Sequence, residues 1–226
     1  MAGNPFTGVL KQTGKALADF LFPPVCLVCE SDTDTAPLCK ECLAALQPLE
    51  DALTIKDLRI RAWARFTHPL DKVIYAFKYN HRRGLARFLA SGLADVLNTE
   101  PDFSKADALV PIPLHLLKRW IRTYNQSELI ARALSENIGI PEVNLLRRRR
   151  VTRTQTRLSD DERMRNVAGA FRVSRRDYGI VKDRSFILVD DVVTTGSTLV
   201  SAARTLMDAG AERVFGLAVG GAWKNR

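Results

Sequence analysis

A chain of 226 residues with 46% apolar and 26% charged positions has a globular composition and enough apolar surface for one full core and a small appendage. No apolar run approaches the ~20 residues of a membrane-spanning helix. The best candidate, Ala16 to Phe22, contains Asp19 and is followed by two prolines instead of a small-residue cleavage site. We therefore expect a soluble protein of the cytoplasm, with a formal net charge of +9.

The N-terminal region combines a predicted amphipathic helix over residues 1–22 with four closely spaced cysteines. The spacing is C-x2-C-x9-C-x2-C, and in a reducing compartment two such pairs are typical of metal ligands, not disulfides. Four thiolates complete the closed tetrahedral set that structural zinc prefers, and they leave no open position for catalysis. We predict a zinc knuckle over residues 23–45, with iron or two disulfides as alternatives. The ligands would be Cys26, Cys29, Cys39 and Cys42.

The rest of the chain predicts an α/β domain. Arg59 to Phe66 favours a strand or ribbon, and Leu70 to Tyr79 and about Arg83 to Leu97 favour helices. From residue 106 onwards, short apolar strands alternate with helices, as in a mostly parallel sheet covered on both faces. We expect an N-terminal module over residues 1–50 and the α/β domain over 51–226. The predicted strands are Ala108 to Ile112, Val143 to Leu146, Ser185 to Val189 and Val214 to Val219, and the helices are near Ser127 to Asn137 and Thr198 to Asp208, with Gly210 as a cap.

The segment from Arg147 to Gly169 lacks clear periodicity and is a candidate mobile loop, because such long irregular stretches in compact domains are usually functional or disordered. Between Arg147 and Arg165 it holds eight arginines and three acidic residues, so five of the nine excess positive charges lie here. A solvated surface run is one interpretation. A phosphate-type site follows in the sequence, so we favour binding of an anionic ligand or polynucleotide, since guanidinium groups bind phosphate bidentately.

The clearest functional signal follows the predicted strand Phe186 to Val189. Ligands of open α/β sheets bind beyond the carboxyl ends of such strands, where Asp190 and Asp191 stand. Two adjacent carboxylates there are costly unless sugar hydroxyls, a cation or both engage them. The next residues provide backbone N–H groups, a glycine and four hydroxyls at the start of a helix, which suit a phosphate. They are Thr194, Thr195, Gly196, Ser197 and Thr198.

The alternative is an ordinary strand-to-helix turn in which Asp191 or Ser197 merely caps the helix. A cap requires neither two acidic residues nor four hydroxyls around one glycine. The sequence therefore favours a site for a sugar phosphate.

Four stretches of the chain resemble known proteins. ILVDDVVTTGSTL, from Ile187 to Leu199, resembles the ribose-phosphate loop of type I phosphoribosyltransferases. With the cysteines, three other stretches resemble the ComF/GntX family in the same order over most of residues 26–216. Thr123 and Tyr124 stand where Gly-Phe is common, and Asn80 and His81 replace a glycine. The three stretches are FKYNHRR at 77–83, VPIPLH at 110–115 with NQS at 125–127, and RTQTRL at 153–158 with Arg163, Asn166 and Val167.

The resemblance implies a type I phosphoribosyltransferase-like fold, with a mostly parallel sheet and helices on both faces, after the zinc knuckle. It implies that Asp190 and Asp191 face the ribose hydroxyls of phosphoribosyl pyrophosphate or a related ribose phosphate. Thr194 to Thr198 would hold the 5′-phosphate, and Mg²⁺ would bridge the pyrophosphate. The candidates for contact with pyrophosphate or nucleic acid are Lys78, Arg82, His115, Arg119, Arg147, Arg148, Arg149, Arg150 and Arg157, with surface solvation as the alternative.

The family is associated with natural transformation, in which its members are thought to handle incoming single-stranded DNA beside a helicase-like partner. The resemblance therefore implies a DNA-uptake protein that binds a phosphoribosyl ligand and single-stranded DNA. Clustered arginines suit backbone phosphates, and Tyr79, Trp120 and Tyr124 lie beside basic positions, as stacking on bases requires. For Trp120 and Tyr124 the alternative is packing in the core.

Two other functions share the same ligand site. An active phosphoribosyltransferase would displace pyrophosphate with a base or amine beneath a hood that excludes water. Only Gly220 to Arg226 follow the last predicted strand, which favours binding over turnover, although the N-terminal region could supply a hood. A regulator that senses phosphoribosyl pyrophosphate would read DNA through a recognition helix, and no such helix stands out. Whether the chain is an enzyme stays open at this stage.

Overall fold

The structure, a computed structural model, describes residues 25–34, 37–114, 124–148 and 169–223. It divides into two units, Met1–Leu46 and Gln47–Arg226. The helix predicted over residues 1–22 lies outside the described residues, as does most of the arginine-rich segment. In the described part of the chain, no helix is both long and apolar enough to cross a bilayer.

The described helices and strands are numbered in chain order. The strands are β1 (Leu53–Ile55), β2 (Leu58–Arg65), β3 (Ala108–Pro111), β4 (Leu146–Arg148), β5 (Phe171–Val173), β6 (Ser185–Val193) and β7 (Arg213–Gly221). The α-helices are α1 (Lys40–Ala44), α2 (Leu70–Tyr79), α3 (Leu85–Asn98), α4 (Gln126–Ile138), α5 (Tyr178–Val181) and α6 (Ser197–Asp208).

The second unit is built on a mostly parallel sheet with the strand order β1-β2-β7-β6-β3. Strands β2, β7, β6 and β3 run parallel to their neighbours, and β1 joins the edge as the antiparallel partner of β2. Strands β4 and β5 form a separate antiparallel pair. This is the predicted α/β class, in which parallel strands are joined by helical crossovers.

Strand β6 lies inside the sheet and is covered on both faces. Its side chains alternate between the faces, and Phe186 and Leu188 share a buried cluster with Leu199 of helix α6. Ile187 and Val189 point the other way and are also fully buried, on the face where helices α3 and α4 contact the sheet. Burial on both faces explains the continuous apolar run in the sequence.

Most predicted elements are confirmed. The helix predicted from Leu70 to Tyr79 is α2, and α3, α4 and α6 lie within two residues of their predicted bounds. Gly210 follows the C-terminus of α6 with a φ of +97°, a left-handed conformation that suits glycine. Periodicity was sufficient for these elements because each buries one continuous apolar face.

The strand predicted from Val143 to Leu146 is wrong. Beside β3, only Glu142 forms a bridge, with Leu109, although the Val143 N–H also donates to the Leu109 carbonyl. The Leu145 N–H then donates to the Val143 carbonyl in a tight turn, so the chain leaves the sheet. Strand β4 begins only at Leu146 and pairs with β5.

Strand β6 continues past its predicted end at Val189 and includes Asp190 and Asp191. The extension depends on β7, which pairs with it as far as Val193. Strand β3, on the other side, ends where Pro111 pairs with Val189. From Asp190 onwards, β6 therefore has a strand neighbour on only one side. The space beside it, beyond the end of β3, is a notch in the sheet edge, and the two carboxylates lie where this notch begins.

Candidate functional site

The first carboxylate of the strand end, Asp190, is held by hydrogen bonds. Its Oδ1 accepts from Ser127 Oγ at 3.0 Å and from the Asp191 backbone N–H at 2.8 Å. Burial raises the pKa of Asp190 to about 7, and the charge of Asp191 adds to this effect, while the two hydrogen bonds and Lys78 oppose it. Asp190 is therefore an acidic group that titrates near neutral pH.

The second carboxylate, Asp191, forms an ion pair with Lys78 of helix α2. Lys78 Nζ lies 2.8 Å from Asp191 Oδ1, and the two side chains are only 15% and 14% exposed. Lys78, predicted from the sequence as a contact for pyrophosphate or nucleic acid, thus contacts the acidic pair itself. Partial burial makes this pair stronger than an exposed surface ion pair.

The loop after β6 has the backbone that a phosphate cradle requires. Gly196 precedes helix α6 with a φ of +70° and is buried. A Cβ on this residue would lie 2.4 Å from Ile55 Cδ1, so glycine is needed both for conformation and for space. Thr195 Oγ1 donates to Ser197 Oγ at 3.1 Å, and the N-terminus of the twelve-residue helix α6 adds partial positive charge.

The hydroxyl residues of the loop differ in exposure. Thr194 is exposed, whereas Thr195, Ser197 and Thr198 are partly buried. Thr194, Thr195 and Gly196 form the turn after β6, and Ser197 and Thr198 are the first two residues of helix α6.

One arginine of the basic segment interacts electrostatically with the acidic pair. Burial lowers the pKa of Arg148 and the charge of Asp190 opposes that shift, which places the guanidinium within electrostatic range of Asp190. Its Cζ lies 5.3 Å from the centre of the Phe171 ring, and its buried Nε has no hydrogen-bond partner among the described residues. Arg147 is the neighbouring residue of strand β4 and is exposed, as strand alternation requires.

Of the remaining predicted contacts, Arg82 alone lies within the described residues. Arg82 is exposed in the turn between α2 and α3. The others lie outside the described residues: His115, Arg119, Arg149, Arg150 and Arg157.

Residues 124–127 contribute more to the site than the sequence prediction assigned to them. Ser127 binds Asp190, and Asn125 Nδ2 donates to the carbonyl of Ile112, the residue directly after β3, at 3.1 Å. Gln126 is 1% exposed, yet neither of its side-chain polar atoms has a hydrogen-bond partner within the described ranges. The NQS stretch was the available signal, but the spacing alone does not reveal which side chain faces Asp190.

Tyr124 is a packing residue, the alternative stated for it above. Its hydroxyl donates to the Phe77 carbonyl, and its ring lies 5.8 Å from the Phe77 ring. The guanidinium carbon of Arg83 lies 4.9 Å from the Tyr124 ring centre in a cation–π contact. Tyr124 therefore connects α2 to the start of α4 instead of offering a free face to a base.

A broad groove of about 1040 Å³ runs along α6 and the start of β7, with Val200, Met207 and Phe215 among its lining residues. It includes Ser197 but not the carboxylates of Asp190 and Asp191. The groove therefore lacks the acidic pair of the candidate site.

The first unit contains a second candidate site, formed by the four cysteines. Their sulfur atoms lie within 4.8 Å of one another, and none of the four forms a disulfide. Tetrahedral zinc, with Zn–S bonds of about 2.3 Å, requires sulfur separations of about 3.8 Å, close to the 3.6 Å between Cys29 Sγ and Cys39 Sγ. The Cys42 N–H also donates to Cys39 Sγ at 3.4 Å. The cluster could hold a metal ion.

Comparisons with known proteins agree with this geometry. A model of the phosphoribosyl transferase domain matches residues 124–219. Competence protein F of Haemophilus influenzae is 32% identical over 209 residues, which cover 86% of this chain and 90% of that protein. The chain belongs to the ComF family. DNA utilization protein YhgH of Escherichia coli K12 is 32% identical over 78% of this chain and 74% of its own length, and Competence protein ComFC of Bacillus subtilis is 24% identical over 82% and 72%.

The phosphoribosyl transferase match includes Ser127, Arg148 and the loop after β6, but it does not include Lys78 or the cysteines. In this ComF-family chain, a lysine from outside the matched domain therefore neutralises an acidic residue inside it. The ion pair makes helix α2 part of the site.

Replacing Asp190 by Asn should change how the stability of this ComF-family chain depends on pH. The folded pKa of Asp190, about 7, lies above its ordinary value of 3.8, so between these values the folded state binds the proton more tightly than the unfolded state. As pH rises from 4 to 7, the wild-type chain should lose stability relative to Asp190→Asn, by up to about 4 kcal/mol. Urea unfolding at a series of pH values measures this difference.

Asp208→Asn is the control, because it makes the same substitution on helix α6 at a side chain that is 72% exposed. If the stability of Asp190→Asn depends on pH in the same way as that of Asp208→Asn, the raised pKa of Asp190 is wrong.

Proposed function

We propose that this chain binds phosphoribosyl pyrophosphate or a related ribose phosphate at the end of β6, and that it acts in DNA uptake by handling single-stranded DNA. The observation that carries the ligand proposal is the acidic strand end followed directly by the Gly196 turn and the N-terminus of α6. The names of the relatives, competence protein and DNA utilization protein, support the DNA role. We place this role in the cytoplasm, beside a helicase-like partner.

The ribose would bind through its hydroxyls to Asp190 and Asp191. Carboxylates accept strong hydrogen bonds from hydroxyl donors, and a cis-diol presents two donors side by side. Asp190 already accepts two hydrogen bonds through Oδ1, which orient the carboxylate and direct Oδ2 elsewhere. A ribose hydroxyl bound there would strengthen the charged form of Asp190 and lower its pKa.

The 5′-phosphate would bind in the turn from Thr194 to Thr198. Backbone N–H groups at a helix N-terminus and the hydroxyls of the turn together suit a phosphate dianion. Mg²⁺, when bound with phosphoribosyl pyrophosphate, would neutralise the pyrophosphate, and carboxylate oxygens are its preferred protein ligands. Arg148, which is partly buried and within electrostatic range of Asp190, supplies a further positive charge.

Lys78 and Arg148 adjust the charge of the site. The two carboxylates carry two negative charges when ionised, and the ammonium and the guanidinium carry two positive charges close to them. A site that is nearly neutral overall can accept an anionic sugar phosphate without the repulsion that two unpaired carboxylates would produce. This balance suits a ligand whose phosphate and hydroxyl groups bind at adjacent positions.

We infer that the metal of the cysteine cluster is zinc and that residues 1–50 form the zinc module, with residues 51–226 as the phosphoribosyltransferase-like domain. Four converging thiols are typical of a closed structural zinc site. Because such a small module has little core of its own, the metal would supply much of its folding free energy.

Replacing Gly196 by Ala should abolish ligand binding. The wild-type chain should bind ribose 5-phosphate, and phosphoribosyl pyrophosphate with Mg²⁺, in isothermal titration calorimetry. In Gly196→Ala the new methyl group meets Ile55 and the residue resists its φ of +70°, so the turn must move and affinity should fall at least about tenfold.

Gly139→Ala is a matched control. Gly139 has a similar φ of +78°, and no atom lies within 4 Å of the position of an added Cβ. It caps the C-terminus of α4, at the opposite end of that helix from Ser127. This variant should lose stability by about 1 kcal/mol or more and keep its affinity. If the wild-type chain binds neither sugar phosphate, the ligand proposal is wrong.

The same mixtures distinguish binding from catalysis. An active phosphoribosyltransferase would release pyrophosphate when phosphoribosyl pyrophosphate, Mg²⁺ and a panel of bases or amines are added. Robust release with one acceptor would identify an enzyme, and binding without release would identify a ligand-binding protein.

Metal content should depend on the cysteines. Chain purified in zinc-containing medium should hold about one zinc ion, measured by inductively coupled plasma mass spectrometry, because four thiolates complete one tetrahedral site. Cys39→Ser should lower the content severalfold. Ser31→Ala is the control, because Ser31 Oγ lies 3.0 Å from Cys29 Sγ but the variant keeps all four thiols. Iron in place of zinc, or equal content in Cys39→Ser, would contradict the assignment.

A further inference from the structure

Helix α2 displays two tyrosines on its outer face. Tyr75 and Tyr79 are one helical turn apart, and their side chains are 59% and 47% exposed. Their ring centres lie 4.9 Å apart with an angle of 44° between the planes. Single exposed aromatic residues are common, but two adjacent exposed rings form a continuous aromatic surface on which flat ligands can stack.

The chain around this pair is mainly basic, although Asp71, whose side chain is 42% exposed, lies one helical turn before Tyr75 on the same side of the helix. Residues 72–94 include five lysines and arginines and no acidic residue. Lys72 is exposed three positions before Tyr75, which places both on one side of the helix. Arg82 is exposed three residues after Tyr79, in the turn that follows α2. The partner of this surface should therefore be anionic as well as flat.

We propose that Tyr75 and Tyr79 form a stacking platform for the bases of single-stranded DNA, with Lys72 and Arg82 beside its phosphates. The proposal rests on the DNA role stated under the proposed function, and it assigns that role to a defined surface. Unpaired bases expose their π faces, whereas bases inside a duplex are covered by their neighbours. Stacking on tyrosine together with nearby cations is the usual way to bind a single strand without reading its sequence.

The angle between the rings suits a flexible strand. Two rings tilted by 44° cannot extend one straight stack, but each can accept one of two successive bases. A rigid duplex cannot follow that bend, whereas a single strand can. The surface should therefore favour single strands over duplexes of the same length.

The platform and the sugar-phosphate site share helix α2. Lys78 extends from the inner side of the helix to Asp191, while its neighbour Tyr79 is exposed. A strand bound on the outer face would thus lie on the same helix that neutralises the acidic pair.

The test is fluorescence anisotropy of a labelled fifteen-nucleotide oligothymidylate with the full zinc-loaded chain. The double variant Tyr75→Ala/Tyr79→Ala should bind on the order of tenfold more weakly or worse, because each tyrosine stacks on a base. Tyr75→Phe/Tyr79→Phe keeps both rings and should stay within about threefold of the wild type. Tyr178→Ala removes an equally exposed tyrosine, 47% exposed, from another helix and should have no effect.

Salt dependence separates stacking from charge. Lys72→Gln/Arg82→Gln should lower the slope of log affinity against log salt concentration, by about one for each DNA phosphate that these side chains neutralise. The double alanine variant should keep the wild-type slope. Binding of ribose 5-phosphate by the double alanine variant verifies that it is folded.

The outcomes are distinguishable. If the double alanine variant binds oligothymidylate as tightly as the wild type, the platform is wrong while the DNA role stands. If the wild-type chain does not bind oligothymidylate at low salt, both the platform and the DNA part of the proposed function are wrong. Equal affinity for a duplex and a single strand would also overturn the platform.

Discussion

Two adjacent carboxylates in a partly buried strand end repel each other, and this repulsion is the constraint on which the rest of the site depends. Asp190 is stabilised by Ser127 from α4, and Asp191 by Lys78 from α2. Arg148 contributes a further positive charge from the small sheet of β4 and β5. The acidic pair therefore connects elements that are distant in the sequence, and the sheet provides the notch in which they meet.

Residues outside the matched phosphoribosyl transferase domain therefore contribute to its site. Lys78 lies outside the matched domain but on the acidic pair inside it. Because helix α2 also carries Tyr75 and Tyr79 on its outer face, the proposed ligand and the proposed DNA strand would contact the same ten-residue helix. Rigid elements position functional groups better than loops, and α2 is anchored by five buried side chains.

Local patterns in the sequence were sufficient for helices α2, α3, α4 and α6 and for the glycine turn after the two carboxylates, because each depends on neighbouring residues. The end of β6 could not be predicted, since its continuation through Asp191 depends on pairing with β7. Arg147 and Arg148 look alike in the sequence, but in the structure Arg147 is exposed, whereas Arg148 is partly buried and interacts electrostatically with Asp190. Tyr75 gave no signal because its exposure follows from the packing of α2, not from its neighbours.

The central claim is that the carboxylates of Asp190 and Asp191 bind the hydroxyls of a ribose. Calorimetric affinities for ribose 5-phosphate and 2-deoxyribose 5-phosphate test it directly, because the two ligands share the phosphate and differ by one hydroxyl. Leaving a buried carboxylate without its donor is costly, so the deoxy sugar should bind at least about tenfold more weakly. Equal affinities would contradict the account and would leave the acidic pair without its proposed partner.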